Sequence, residues 1–189
     1  LYVTHNGGDD WTQLGEDEGL PGGELGRMGL AMSPADPDIV YALIESKKTG
    51  LYKSIDGGMN WDLVSTENIG NRPFYYADIH ADPQDPDRLF NLYSMVSEST
   101  DGGRTFEVIL PYSGAHPDHH AWYQDPDDSD FILNGNDGGI NISRDGGETW
   151  SFVRNLPVGQ FYHINVDDDI PYNVYGGLQD NGSWKAPAY

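Results

Sequence analysis

The 189-residue chain contains no cysteine. Disulfide bonds and thiolate metal sites are therefore excluded, and the redox compartment stays undecided. No stretch approaches the roughly 18 consecutive apolar residues of a membrane-spanning helix. No segment shows the 3.6-residue apolar period of an amphipathic helix either. The sequence therefore predicts an all-β protein with essentially no helix.

Basic residues are scarce: 10 Lys and Arg stand against 31 Asp and Glu, which gives a formal net charge of −21. A surface of this kind repels the phosphates of nucleic acids and anionic lipids. We therefore expect neither nucleic acid nor a membrane as a partner. The acidic excess serves either solubility or the attraction of cations or a basic partner, and the composition leaves these readings open.

Glycine is abundant, and much of it lies in the repeated motif Ser/Thr-x-Asp/Asn-Gly-Gly-x-x-Trp/Phe. The four copies begin at Thr4, Ser54, Ser99 and Ser143, roughly 44 to 50 residues apart. The Gly-Gly pair suits a tight hairpin, and the Asp and Ser side chains can bond the amides of the turn. Four equivalent copies indicate architecture rather than catalysis, and we expect the aromatic residue to pack between neighbouring sheets. The structural residues of the motif are Asn6, Trp11, Asp56, Trp61, Asp101, Phe106, Asp145 and Trp150.

A second repeat, rich in proline and aspartate, runs in step with the first. Its copies begin at Ser33, Asp82 and Asp125, and a degenerate copy begins at Asp167. Each unit therefore contains a strand, a Pro/Asp turn, two strands, the glycine-rich hairpin and a fourth strand. Four strands in about 45 residues is the size of a propeller blade. The predicted segments are the last strands of a blade at 1–14, blades at 27–64, 74–110 and 118–154, and the first strands of a blade at 160–184.

The motif resembles the Asp-box (BNR-repeat) propellers, which include sialidases, xyloglucanase-type glycoside hydrolases and sortilin-like receptors. The likeness is greatest to large bacterial exported proteins described as sortilin-like or glycosyl-hydrolase-like, in segments 26–31, 72–76, 116–120, 135–139 and 176–183. The resemblance implies about four blades' worth of a larger propeller and an extracellular, periplasmic or cell-surface location. Such a chain should pair with the rest of its propeller or with copies of itself, because open sheet edges invite pairing. Alternatively, head and tail complete one blade and close a ring of four.

The starts of the inner strands are the best candidate for a ligand site. In propellers the inner strand of each blade lines the central channel, and a structural repeat has no reason to collect Arg, Tyr and His at one level. Adjacent residues of a strand face opposite ways, so only one of His119 and His120 can line the channel, and we expect the other in a blade interface. The candidate ligand-binding residues are Arg27, Tyr75, Tyr76, His119, His120, Trp122, Tyr162 and His163.

No cofactor and no metal site are predicted. The histidines His116, His119 and His163 could supply nitrogen ligands, but their spacing matches no zinc signature. Calcium bound through Asp137 and Asp180 is a further alternative, although the loops lack the Asp-x-Asp-x-Asp-Gly pattern of a calcium loop.

Three functions remain open at this point. A binding module for a glycan or protein ligand needs only a polar, aromatic channel mouth, and we favour it. A glycoside hydrolase needs two carboxylates about 5 to 9.5 Å apart, and the candidates are Asp78, Asp118, Asp137 and Asp180. A sialidase is disfavoured because few arginines lie near the proposed mouth, and a structural scaffold is the third possibility. Convergence of Asp118 with Asp137 or Asp180 is what the hydrolase reading requires.

Overall fold

A computed structural model describes residues 1–67, 69–70, 78–156 and 158–188. Within these ranges the single 3-10 turn Glu16–Glu18 is the only helix, and no helix is long and apolar enough to cross a membrane. The strands are β1 (Tyr2–Val3), β2 (Thr12–Gln13), β3 (Met28–Met32), β4 (Val40–Ile44), β5 (Gly50–Ser54), β6 (Asp62–Ser65), β7 (Asp78–Ala81), β8 (Leu89–Leu92), β9 (Val96–Ser99), β10 (Glu107–Leu110), β11 (His119–Gln124), β12 (Ile132–Asn136), β13 (Gly139–Ser143), β14 (Ser151–Phe152), β15 (Phe161–Val166), β16 (Asn173–Leu178) and β17 (Ser183–Pro187).

The strands form five antiparallel sheets in chain order. Three are complete four-stranded meanders, β3–β6, β7–β10 and β11–β14, called here blades one, two and three. Strands β1 and β2 form the first sheet, and β15–β17 form the last sheet. The prediction of an all-β chain built of four-stranded blades is confirmed. The first and last sheets remain separate in the described chain, so the alternative of head and tail completing one blade is not realised.

The glycine-rich hairpins join the third and fourth strands of a sheet, and the same hydrogen bonds recur in them. In the second copy, Ser54 Oγ accepts the N–H of Gly58 (2.9 Å), and Asp56 Oδ1 accepts the N–H of Asn60 (2.9 Å). Trp61 Nε1 donates to Gly58 O (3.0 Å), which locks the indole against the turn. Bonds from Asn60 and Ser54 hold the pKa of Asp56 at about 2, so its carboxylate stays charged and structural.

The aromatic residues of these hairpins face the preceding sheet. Trp61 packs against the first sheet, Phe106 against blade one, and Trp150 against blade two. Trp11 is largely exposed, because the described chain has no sheet on that side of β1 and β2. The expectation that all four aromatics pack between sheets is therefore wrong for Trp11.

Antiparallel pairing also decides which loops meet. The start of each inner strand lies at the same end of the blade as the turn between the second and third strands. This end is called the upper end below. The backbone N–H of His119 donates to Tyr93 O (3.1 Å) and ties the upper ends of blades two and three together.

Candidate functional site

Three carboxylates converge at the upper end, where blade three meets the last sheet. Asp118 precedes β11, Asp137 lies in the β12–β13 turn, and Asp180 lies in the β16–β17 turn. The charges of Asp118 and Asp180 both act to raise the pKa of Asp137. These three residues are called the acidic corner. They are separated along the sequence and meet only because the blades are arranged around one axis.

The turns that carry the corner are shaped by local bonds. Asn136 Oδ1 accepts the N–H groups of Gly138 (2.9 Å) and Gly139 (3.1 Å), which leaves Asp137 at the tip of the turn. Asn181 Nδ2 donates to Asp137 O (2.6 Å) and so joins the last sheet to blade three. Loop contacts therefore hold the corner together across the junction.

Backbone conformation directs two of the three carboxylates. Asp118 has a φ of 67° and Asp180 a φ of 57°. This left-handed region is entered mostly by glycine, and Asp and Asn are among the few other residues that tolerate it. His116 Nε2 lies 3.3 Å from Asp180 O and adds a further contact to that turn. The strained positions coincide with the corner, as is common at functional sites.

The pKa of Asp137 is raised. Burial is the main cause, because it penalises the charged form, and the neighbouring Asp118 and Asp180 act in the same direction. His120 opposes them, since its Nε2 lies 3.4 Å from Asp137 Oδ1. Asp137 therefore holds its proton to higher pH than an ordinary aspartate.

The acids bear on catalysis, because most glycosidases use two carboxyl groups about 5 to 9.5 Å apart. The charges of Asp118 and Asp180 both act on Asp137, so the three acids lie in one neighbourhood. A glycosidase therefore stays an alternative hypothesis.

His119 lies inside the interface between blades two and three. Its side chain is buried, its Nδ1 lies 2.7 Å from Asn134 Oδ1, and burial lowers its pKa. The prediction that His119 contacts a ligand is wrong, because solvent does not reach it. His120, the next residue, is exposed at the upper end beside Asp137.

Trp122 also packs between blades rather than at a channel mouth. Its ring centroid lies 4.6 Å from that of Phe90 and 6.0 Å from that of Trp150. The ring is only partly buried against this cluster, so its role in ligand contact stays a prediction. Within the described residues its Nε1–H has no hydrogen-bond acceptor.

The other predicted residues fall in two places. Arg27 Nη2 pairs with Asp78 Oδ1 (3.2 Å) across the junction of blades one and two, so Asp78 serves an ion pair outside the acidic corner. Tyr162 and His163 are exposed at the start of β15. Tyr75 and Tyr76 lie outside the described residues.

In the part of the chain that the structure describes, no three His, Asp or Glu residues are arranged to hold a metal ion. His116, His119 and His163 do not form a ligand set, since His119 is buried against Asn134. The calcium alternative through Asp137 and Asp180 gains no ligand set either.

Sequence reasoning did not find Asn181 as the residue that bridges the two turns. The signal available was the likeness of segments 134–139 and 179–182, which both follow second strands. That likeness places the two turns at one level, but it does not show that Asn181 reaches across to Asp137.

The BNR/Asp-box repeat family matches residues 142–152, the hairpin between β13 and β14. Among solved structures, the chain resembles the GH74 enzyme of Niastella koreensis, with 20% identity, 85% of this chain and 28% of that chain covered, and a TM-score of 0.52. These findings show a β-propeller fold that contains an Asp-box repeat. The chain also resembles YCF48 from Cyanidioschyzon merolae, with 16% identity, coverage of 87% and 53%, and a TM-score of 0.50.

A third likeness is to a chain of a nidogen/laminin complex, with 13% identity, coverage of 85% and 60%, and a TM-score of 0.52. No curated protein matches the chain. The chain spans less than two thirds of each of these structural neighbours. At such identities the likenesses establish the propeller fold, while activity and ligand have to be argued from the site.

Proposed function

We propose that the chain is part of an exported propeller that binds a protein ligand at the acidic corner. The observation that carries the proposal is the convergence of Asp118, Asp137 and Asp180 from three separate loops at the upper end. A net charge of −21 adds a long-range field that attracts cationic groups. A peptide segment that presents Lys or Arg is therefore the ligand that fits best, and a glycan is the alternative.

Two features support a binding role at this position. Tyr162 is exposed at the start of β15, at the same end as the corner, where an aromatic face can stack on a ligand. The likeness to a chain of a nidogen/laminin complex, which is a complex between proteins, supports a protein ligand. An extracellular, periplasmic or cell-surface location belongs to the same proposal.

The test is retention on arrays of peptides and glycans. The double variant Asp137→Asn/Asp180→Asn should lose at least tenfold in affinity for Lys- or Arg-containing peptides, because it removes the charges that face the ligand. Tyr162→Ala should weaken the same binding severalfold. The matched controls are Asp127→Asn and Tyr172→Ala, which change exposed residues in the Pro/Asp turns at the opposite end.

The outcomes separate the three functions. If all variants are retained equally, the binding proposal is contradicted. A structural scaffold is then the function that remains. If the chain retains neutral glycans and Tyr162→Ala abolishes that retention, the ligand is a glycan and not a basic peptide. The hydrolase alternative rests on the raised pKa of Asp137 and its coupling to Asp118, and it requires cleavage of a polysaccharide that both Asp118→Asn and Asp137→Asn abolish.

A further inference from the structure

The chain contains three Asn-Gly pairs, which begin at Asn6, Asn134 and Asn181. An asparagine that precedes glycine is chemically labile, because glycine has no side chain to keep its backbone nitrogen away from the asparagine side chain. When that nitrogen attacks the side-chain amide carbon, a succinimide ring forms and ammonia leaves. The reaction needs a backbone that can bend and an asparagine side chain that can turn. The fold therefore decides which of the three pairs reacts.

Asn134 is protected by its place in a central strand. It lies in β12, which is paired with β11 on one side and with β13 on the other. Its side chain is fully buried, and its Oδ1 lies 2.7 Å from His119 Nδ1. Closure of the ring would require the strand pairing at Gly135 and the contact with His119 to break. We therefore expect this pair to be stable in the folded chain.

Asn6 is exposed, but its side chain is held at both ends. Its Oδ1 accepts the N–H of Asp10 (3.0 Å) and the hydroxyl of Thr4 (2.9 Å). Its Nδ2 donates to Asp10 Oδ2 (3.0 Å). These bonds direct the amide group towards Asp10, and they must break before the nitrogen of Gly7 can attack. We therefore expect slow reaction at this pair.

Asn181 meets both conditions for the reaction. It is exposed in the β16–β17 turn, between Asp180 with a φ of 57° and Gly182 with a φ of 75°. Among the described residues, the N–H of Gly182 has no hydrogen-bond acceptor and the Oδ1 of Asn181 has no donor. A Cβ built on Gly182 would meet no atom within 4 Å, so the space beside this glycine is open. The side chain is held by two bonds from its Nδ2, to Asp137 O (2.6 Å) and Gln179 O (2.9 Å), which lie where water competes with them.

Loss of the Asn181 amide would change the acidic corner in two ways. The Nδ2 group of Asn181 is the donor that joins the last sheet to blade three through Asp137 O. A carboxylate in its place has no hydrogen to donate, so it faces the oxygen of Asp137 without a bond. The carboxylate also adds a fourth negative charge to the corner. One reaction thus removes a contact across the junction and makes the corner more acidic.

We propose that Asn181 is a deamidation site through which the acidic corner changes as the protein ages. The deprotonated backbone nitrogen of Gly182 attacks Cγ of Asn181, the new N–C bond closes the ring, and the C–NH2 bond breaks with release of ammonia. Water then adds to either carbonyl carbon of the ring, which leaves aspartate or isoaspartate at this position. Solvent takes the proton of Gly182, returns one to the leaving ammonia and supplies the water, so no further reactant is needed. The modification does not depend on the ligand of the acidic corner.

Peptide mapping by mass spectrometry tests the proposal on the unchanged chain, because all three pairs can be followed in one sample. In the folded chain at mildly alkaline pH, deamidation at Asn181 should be at least about tenfold faster than at Asn134, which reacts only after local opening. It should also be severalfold faster than at Asn6. In urea the three rates should become similar, since the fold no longer distinguishes the pairs. If Asn181 reacts no faster than Asn134 or Asn6 in the folded chain, the proposal is overturned.

Two matched glycine variants test which nitrogen attacks. Gly182→Ala and Gly7→Ala both place a methyl group in open space at a similar φ, of 75° and 73°. Gly182→Ala should slow deamidation at Asn181 severalfold, because the methyl group hinders the approach of the nitrogen. Gly7→Ala should leave the rate at Asn181 unchanged. An unchanged rate in Gly182→Ala contradicts the proposed reaction.

Hydrogen exchange tests the effect on the acidic corner. Asn181→Asp stands in for the aspartate product, and Asn6→Asp is its control, because it makes the same change of charge in the first hairpin. Exchange at the N–H groups of Gly138 and Gly139 should rise severalfold in Asn181→Asp, since the turn that carries Asp137 loses its bond to the last sheet. Asn6→Asp should leave it unchanged. Equal exchange in the two variants overturns the effect on the corner.

Discussion

At the scale of single residues, Asp137 carries the most information. Its carboxyl group is penalised by burial, repelled by Asp118 and Asp180, and attracted by His120, while its backbone oxygen accepts a bond from Asn181. Such opposed influences on one side chain are typical of functional sites, where affinity for a ligand outweighs stability. A cationic ligand group would relieve the repulsion, which is why binding and stability should respond to the same substitution.

The raised pKa of Asp137 predicts how stability changes with pH. A carboxyl group whose pKa is higher in the folded chain binds its proton more tightly there, so the folded state loses stability as pH rises from the ordinary value of 3.8 through the raised one. Asp137→Asn mimics the protonated form and removes this loss. The urea midpoint of the variant, relative to wild type, should therefore be higher at pH 7 than at pH 3. Asp127→Asn should show no such trend, and a difference that does not vary with pH contradicts the assignment.

Residue-level prediction from the sequence succeeded only in part, for a geometric reason. Alternation along a strand shows that His119 and His120 face opposite ways, but it does not show which of them is inside. The register shifts between His119 and Ala121, and this irregularity directs the His119 ring onto Asn134. Trp122 shows the same limit, because an aromatic residue on an inner strand suits a ligand and a blade interface equally well.

At the scale of elements, the glycine-rich hairpins do two jobs. They reverse the chain between the third and fourth strands, and they let the hairpin approach the preceding blade. A Cβ added to Gly103 would lie 2.5 Å from Leu51 Cδ2 of blade one, whereas one added to Gly8 would lie 3.8 Å from the nearest atom, in Trp11. Both glycines have positive φ, of 85° and 101°. Gly8 is therefore required only for its positive φ, whereas Gly103 is required both for its positive φ and for its close approach to Leu51.

Replacing each of these glycines by alanine should show the difference. Gly8→Ala should cost about 1 kcal/mol, which reflects the positive φ alone. Gly103→Ala should cost a further 1 to 3 kcal/mol or so, because the added methyl group overlaps Leu51 in a packed interface. Urea unfolding of both variants at one pH provides the comparison. Equal losses of stability would mean that the hairpin of blade two does not press on blade one as described.

The elements themselves were well predicted from the sequence. Repeat spacing, the Gly-Gly pairs and the Pro/Asp turns give the order of strands, since each of these signals acts locally. The junction between blade three and the last sheet was not predictable in this way. It depends on Asp137 meeting Asp180 and Asn181, which lie far from Asp137 along the chain and have no repeated counterpart.

At the scale of the whole molecule, the net negative charge destabilises the fold, while the apolar cores between sheets stabilise it. A net charge of −21 on 189 residues repels itself in the folded state, while blades one to three are held by apolar cores between neighbouring sheets. Two cations lie between blades: Lys53 pairs with Asp87 (2.7 Å), and Arg88 Nη2 donates to Gly146 O (2.6 Å). The remaining negative charge is available to steer a cationic partner.

Salt should therefore move stability and binding in opposite directions. The Debye length falls from about 30 Å at 0.01 M salt to about 10 Å at 0.1 M, so added NaCl screens the self-repulsion and should raise the urea midpoint. The same screening should weaken retention of a Lys- or Arg-containing peptide, because it removes the attraction that brings the partner to the acidic corner. Choline chloride at matched ionic strength is the control, and it should act like NaCl if screening is the cause. Binding that does not weaken with salt would point to a neutral ligand and against the basic peptide.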